Sequence, residues 1–279
     1  MFGYKKPEFF IFIIILSLSP GICLANNWIA YSCTNEKFYS LDLETGQAAI
    51  ISSTPSFWHL TYASNGILYG ISRKTDALYR FTEPATGEAT LLANLPQDST
   101  GSGITISPDD QSIYFTLNED ELYCYDISNN TFKRLGTITG VYGLSDIEFS
   151  ADGILYGITG IGYGSKQLYT INPETLQATA IGPELFGIDD IPISSASSIE
   201  FAPDGKLYLI ISVEGDIATH YEDFEYICTL DVLTGIATMK RDAVIHDSES
   251  YYYADTLAIK PSSSEDSDDG SCFISIAFQ

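Results

Sequence analysis

Four residues whose side chains can carry a proton or bind a cation stand at matching places in a repeating sequence: His59, Asp146, Glu148 and Glu200. Residues two apart in an extended strand share a face, so Asp146 and Glu148 point one way while Ile147 between them points the other. Aligning the five corresponding stretches gives a first level of His59, Gly103, Asp146, Ser198 and Thr256 and a second of Thr61, Thr105, Glu148, Glu200 and Ala258. The positions between, Leu60, Ile104, Ile147, Ile199 and Leu257, are all apolar. If these stretches stand side by side around an axis, the polar set lines or approaches a central channel. Carboxylates crowded there repel one another, which raises at least one pKa and invites a shared proton or a cation. Ca²⁺, which takes carboxylate and carbonyl oxygens, is the cation such a set suits. Solvated carboxylates in a water-filled channel are the plainer alternative.

The elements that must position these residues are visible as internal repeats. One hairpin recurs as SNGILYGI at 64–71, PDDQSIYFTL at 108–117, SADGILYGIT at 150–159 and PDGKLYLII at 203–211. Asp, Asn and Gly sit at its turns because they tolerate the backbone conformations that tight turns demand. A second hairpin follows each time, as in KFYSLDLETGQAAII at 37–51 and QLYTINPETLQATAI at 167–181. Counted at Phe38, Leu78, Leu122, Leu168 and Ile227, the second hairpin occurs five times, at steps of 40, 44, 46 and 59 residues. The long last step reflects extra sequence at 183–196 and 212–225.

Only four complete first hairpins precede the five second ones, and the chain ends resolve the shortage. Residues 27–33 (NWIAYSC) read as the second strand of the missing hairpin and residues 254–261 (ADTLAIKP) as its first. Their pairing closes a ring and removes free sheet edges. The expected fold is therefore all-β: a five-bladed β-propeller of four-stranded antiparallel blades over residues 26–261, at about 47 residues per blade.

Residues 1–25 read as a secretory signal peptide, with Lys5 and Lys6 before an apolar run and a small residue at Ala25. The run is too short to span a bilayer, so no transmembrane span remains after cleavage. The chain carries a formal charge of −24; losing two lysines and one glutamate with residues 1–25 leaves −25. Such a chain does not bind nucleic acid by charge. Cys33, Cys124, Cys228 and Cys272 remain, an even number that permits disulfides in an exported protein, but the first three fall at different places in different repeats and read as individual thiols. The expected location is secreted or periplasmic.

At QLYTINPETLQATAIG and KFYSLDLETGQAAI the chain resembles a loose class of exported bacterial propellers of unknown function, whose repeats read LYxI and then DPxTGxAT and are similar to YVTN- and NHL-type propellers. The resemblance covers nearly all of residues 27–261. It implies the fold and no activity, because propellers host many functions. Residues 262–279 form a polar linker and an apolar end beginning Cys272-Phe273-Ile274. This end is similar to Cys-Phe-Ile tails of some exported bacterial proteins, which implies surface attachment through Cys272; the usual continuation after Ile274 is absent.

Two functions follow as expectations. One is a binding scaffold for a protein or carbohydrate partner. The other is a metal-dependent hydrolase or lactonase using the axial carboxylates, as five-bladed glycosidases do with theirs. Other templates are missing: His59, His220 and His246 form no HExxH pair, there is no Gly-x-Ser-x-Gly elbow, and the glycine-rich stretch 157–164 reads as a loop between strands. The tyrosines 251–253, with Tyr221, Phe224 and Tyr226, read either as a stacking surface at one rim or as packing between blades.

Overall fold

The computed structural model describes residues 28–33, 37–52, 57–72, 74–96, 101–160, 165–185, 187–188, 191–213, 224–245 and 256–261. Residues 1–25, read above as a signal peptide, residues 262–279 with Cys272, and His220, His246, Tyr221 and Tyr251 to Tyr253 lie outside them. Every regular element among the described residues is a strand. In chain order, blade 1 holds β1 (Ala30–Cys33), β2 (Phe38–Leu41) and β3 (Ala48–Ser52); blade 2 holds β4 (His59–Tyr62), β5 (Leu68–Ser72), β6 (Ala77–Glu83) and β7 (Glu88–Asn94). Blade 3 holds β8 (Gly101–Ile106), β9 (Ser112–Leu117), β10 (Glu121–Asp126) and β11 (Thr131–Thr137). Blade 4 holds β12 (Leu144–Phe149), β13 (Leu155–Thr159), β14 (Leu168–Asn172) and β15 (Gln177–Ile181). Blade 5 holds β16 (Gly187–Ile188), β17 (Ile191–Phe201), β18 (Leu207–Val213), β19 (Phe224–Leu230) and β20 (Ala237–Val244). The last strand, β21 (Ala258–Ile259), returns to blade 1 and pairs antiparallel with β1 through Ala30↔Ile259 and Tyr31↔Ala258.

All pairings within the blades are antiparallel, and in each blade the four main strands are neighbours in chain order, with β21 placed before β1 in blade 1. The innermost strands contact one another in the cycle β4, β8, β12, β17, β21 and back to β4. The fold is thus the expected five-bladed propeller with shared closure. Part of the extra sequence before blade 5 forms β16, a short fifth strand that pairs with a lengthened β17.

Strict alternation explains why the strands nearest the axis are buried on both faces. In β5, Leu68 packs with Phe38, Phe57, Leu60 and Phe81 at the seam between blades 1 and 2, while Tyr69 and Ile71 pack with Ile104, Ile113 and Phe115 between blades 2 and 3. The five apolar clusters divide in the same way, one to each seam. The apolar positions of the inner strands fill these seams: Leu60 between blades 1 and 2, Ile104 between 2 and 3, Ile147 between 3 and 4, Ile199 between 4 and 5, and Leu257 between 5 and 1. The driving force for closing the ring is therefore apolar burial between neighbours, at roughly 25 cal/mol per Å². Tyr226, from the aromatic group seen in the sequence, packs in the seam between blades 4 and 5.

Candidate functional site

With Leu60, Ile104, Ile147, Ile199 and Leu257 committed to the seams, the alternate positions turn to the axis. His59, Asp146, Glu148 and Glu200 all lie there, at 7%, 3%, 8% and 3% exposure. Ser198, Thr61, Thr105 and Thr256 are buried with them. These side chains are enclosed, in contrast to the solvated channel lining that is one reading of the sequence.

Their hydrogen bonds reveal a second pattern. An innermost strand has one neighbour in its sheet, so half of its N–H groups face the axis without a ladder partner, and buried N–H groups must find one. Here the partner is a side chain of the preceding blade. The Ile199 N–H of blade 5 donates to Asp146 Oδ2 of blade 4 at 3.0 Å. The Leu257 N–H of blade 1 donates to Ser198 Oγ of blade 5 at 2.9 Å, and the Leu60 N–H of blade 2 donates to Thr256 Oγ1 of blade 1 at 3.0 Å. The second level repeats this: the Phe149 N–H donates to Thr105 Oγ1 at 3.0 Å, the Phe201 N–H to Glu148, and the Ile259 N–H to Glu200 Oε1 at 3.3 Å.

The regular pattern breaks at blades 2 and 3. Where it calls for an acceptor on blade 3, the chain has Gly103, and an added Cβ there would stand 2.8 Å from both Asp146 Cα and Ile147 N. Backbone approaches backbone too closely for any side chain. Asp146 compensates. Its carboxylate takes the Ile147 N–H at Oδ1 (2.9 Å), the Ile104 N–H, and the Ser198 hydroxyl at Oδ2 (2.7 Å) in addition to the Ile199 N–H. Across the gap, His59 Nδ1 lies 3.8 Å from Asp146 Oδ1 and makes no hydrogen bond, as do Thr61 Oγ1 and Glu148 Oε2.

Burial dominates the electrostatics. It pushes the Asp146 carboxyl up to about 7, against the pull of Ser198 and the three N–H donors. Glu148 and Glu200 are raised well above the usual carboxylate range, first by burial; the Asp146 charge adds to the shift of Glu148, and the Glu148 and Asp146 charges add to that of Glu200. Burial pushes the His59 imidazole down to about 4. His59 and Asp146 are thus neutral together over the window between about 4 and 7, and their 3.8 Å approach is no ion pair there. Tyr62 at the end of β4 is raised by burial, by Tyr31 and by Glu200.

The four residues singled out in the sequence are buried on innermost strands, His59 on β4, Asp146 and Glu148 on β12 and Glu200 on β17. The sequence-level alignment misses the capping of neighbouring strands, because each donor and acceptor meet only in the closed ring. Among the described residues no three His, Cys, Asp or Glu side chains are grouped as a metal ion requires, which leaves the Ca²⁺ expectation without support. Cys33, Cys124 and Cys228 are thiols: Cys33 donates to the Phe57 carbonyl at 2.8 Å, and burial pushes Cys228 up to about 12. No helix of the described residues is long and apolar enough to cross a membrane.

No protein-family model matches this chain, and no curated protein matches it. Among solved structures it is similar to a structural genomics protein of unknown function from Bacteroides thetaiotaomicron VPI-5482, with a TM-score of 0.56 and 10% identity over 76% of this chain and 57% of that one. It also aligns with Kuenenia stuttgartiensis hydrazine synthase (TM-score 0.45, 16% identity, 73% of this chain and 59% of that one). A third match is the extracellular domain of the putative one component system BT4673 from B. thetaiotaomicron (TM-score 0.42, 13% identity, 77% of this chain and 28% of that one). The chain spans less than two thirds of each of these proteins. The first likeness shows the propeller fold alone.

Proposed function

We propose that the protein is an exported propeller that works as a binding scaffold, presenting turns and loops to a protein or carbohydrate partner without turnover. The observation that carries this reading is the commitment of the axial carboxyls. Asp146, Glu148 and Glu200 are enclosed and accept backbone N–H groups of adjoining strands. A catalytic acid or base must instead reach a substrate proton directly or through one water. With the axis occupied in holding the ring together, the turns and loops on the rigid scaffold become the working surface.

Two features of that surface support the reading. An open cavity of about 550 Å³ on blade 4 is lined by Ile154, Thr170, Asn172, Glu174, Gln177 and Thr179 among others. Hydroxyl, amide and carboxylate groups of this kind match sugar hydroxyls or peptide amides. Beside it in the fold, the outer turn of blade 5 exposes Leu233 and Ile236. Export follows from residues 1–25, and Cys272 in the tail provides an attachment point at the cell surface.

Residues 26–279 are tested on a glycan array and by affinity capture from the producing cell. The expected result is saturable binding that survives Asp146→Asn and is lost in Thr170→Ala/Thr179→Ala or Leu233→Asp/Ile236→Asp. Turnover of a glycoside or lactone, abolished by alanine at Asp146, Glu148 and Glu200 together, contradicts the reading. Cys272→Ser should move the protein from the cell fraction to the medium; unchanged fractionation rejects the attachment.

A further inference from the structure

The strand that closes the ring is short. β21 has two residues, paired with Ala30 and Tyr31. On the axial side the same segment depends on blade 5: the Leu257 N–H rests on Ser198 Oγ and the Ile259 N–H on Glu200 Oε1. Its other tie is to blades 1 and 2, where Ser32 Oγ donates to the Thr256 carbonyl and Thr256 Oγ1 accepts the Leu60 N–H. Glu200 thus stands at the joint where the C-terminal strand meets the rest of the ring.

Glu200 has a like-charged neighbour there. Glu148, one blade back at the same level, caps Phe201, the residue next to Glu200, and its Oε2 is buried without a partner. Asp146 adds a third carboxyl from β12. The other titratable groups facing this cluster are His59 and Tyr62 on β4, with Tyr31 on β1 reached through Tyr62. Among the described residues no lysine or arginine charge acts on either glutamate.

We propose that the Glu148–Glu200 pair is a proton-operated latch on ring closure, holding the C-terminal strand when at least one of the two is protonated and loosening it when both are ionised. Two enclosed carboxylates with no cation between them repel, and the cost falls on the weakest joint, a two-residue strand. The sign follows from the folded-state preference for the acid form. Burial raises Glu148 and Glu200 above their unfolded values, so their stabilisation is complete below the unfolded value, near 4.5, and is lost as pH rises through the folded ones. Asp146 acts in the same direction between about 4 and 7. His59, held down to about 4, acts oppositely: its contribution is present above about 6.5 and is lost as pH falls toward 4.

The test is amide exchange by mass spectrometry at pH 5 and pH 8 on residues 26–279, expressed as protection factors for peptides covering 28–33 and 256–261. Glu148→Gln/Glu200→Gln, which keeps the acceptor oxygens and removes the titration, serves as comparison. The wild type should lose at least tenfold protection in these two peptides at pH 8, with peptides of β9 and β10 unchanged. The double variant should lose less than threefold protection in these peptides, the remainder coming from Asp146, and should melt above the wild type at pH 8. Equal wild-type protection at both pH values, a pH response in the double variant as large as that of the wild type, or failure of that variant to fold at pH 5 would each overturn the proposal.

Discussion

The outer turns and the axis of this propeller face the same problem, unpaired backbone N–H groups, and solve it at opposite ranges of sequence. At the outer turns the acceptor is local. Asp42, Asp126, Asn172 and Asp231 each receive, at one side-chain oxygen, the N–H groups two and three residues ahead, at 2.8–3.1 Å. The fifth residue of each of these turns, and of the blade 2 turn that starts at Glu83, takes a positive φ whether it is Gly46, Gly87, Asn130, Leu176 or Gly235. At the axis, apart from the Ile147 N–H held by Asp146, the acceptor comes from another blade, 44, 53 or 59 residues away and 196 for Thr256 and Leu60. The outer turns are exposed and the axial groups enclosed, so a lost partner is replaced by water in one place and by nothing in the other.

That contrast orders the expected effects of substitution. Asp146→Ala removes the acceptor of three N–H groups and the partner of Ser198. Because each buried unmatched group costs about 1–3 kcal/mol, a loss of about 4 kcal/mol or failure to fold is expected by urea denaturation. Gly103→Ala forces a methyl against the Asp146 and Ile147 backbone, and about 3 kcal/mol is expected from overpacking that cannot relax. Ser198→Ala strands the Leu257 N–H and should cost about 2 kcal/mol, with fraying confined to residues 256–261. Asn172→Ala, which strips an outer turn of its cap, should cost no more than about 1 kcal/mol and leave axial amide protection unchanged. A large effect of Asn172→Ala, or a small one of Asp146→Ala, would collapse the distinction between the two regions.

The same contrast explains what could be read from the sequence. Hairpins, blade number and closure are carried by period-2 alternation and by turn residues within a few positions of each other, so Tyr69, Tyr114, Tyr156 and Tyr208 mark equivalent strands unaided. The seam positions were legible too, because Leu60, Ile104, Ile147, Ile199 and Leu257 keep the alternation in phase. The work done by Asp146 was not. An aspartate between a serine and an isoleucine looks the same whether it faces water or collects four hydrogen bonds, and only the closed ring brings Ile104 and Ile199 to it. β16 was hidden for a related reason, since a two-residue strand leaves no periodicity to detect.

The central claim is that axial side chains serve as hydrogen-bond partners for the inner strands. Residue-resolved amide exchange by NMR at pH 5 tests it most directly. The N–H groups of Leu60, Phe149, Ile199, Leu257 and Ile259 have no sheet partner on the axial side, yet they should exchange as slowly as the ladder amides of β9 and β18. Exchange of these five at the rate of open loop amides would contradict the account.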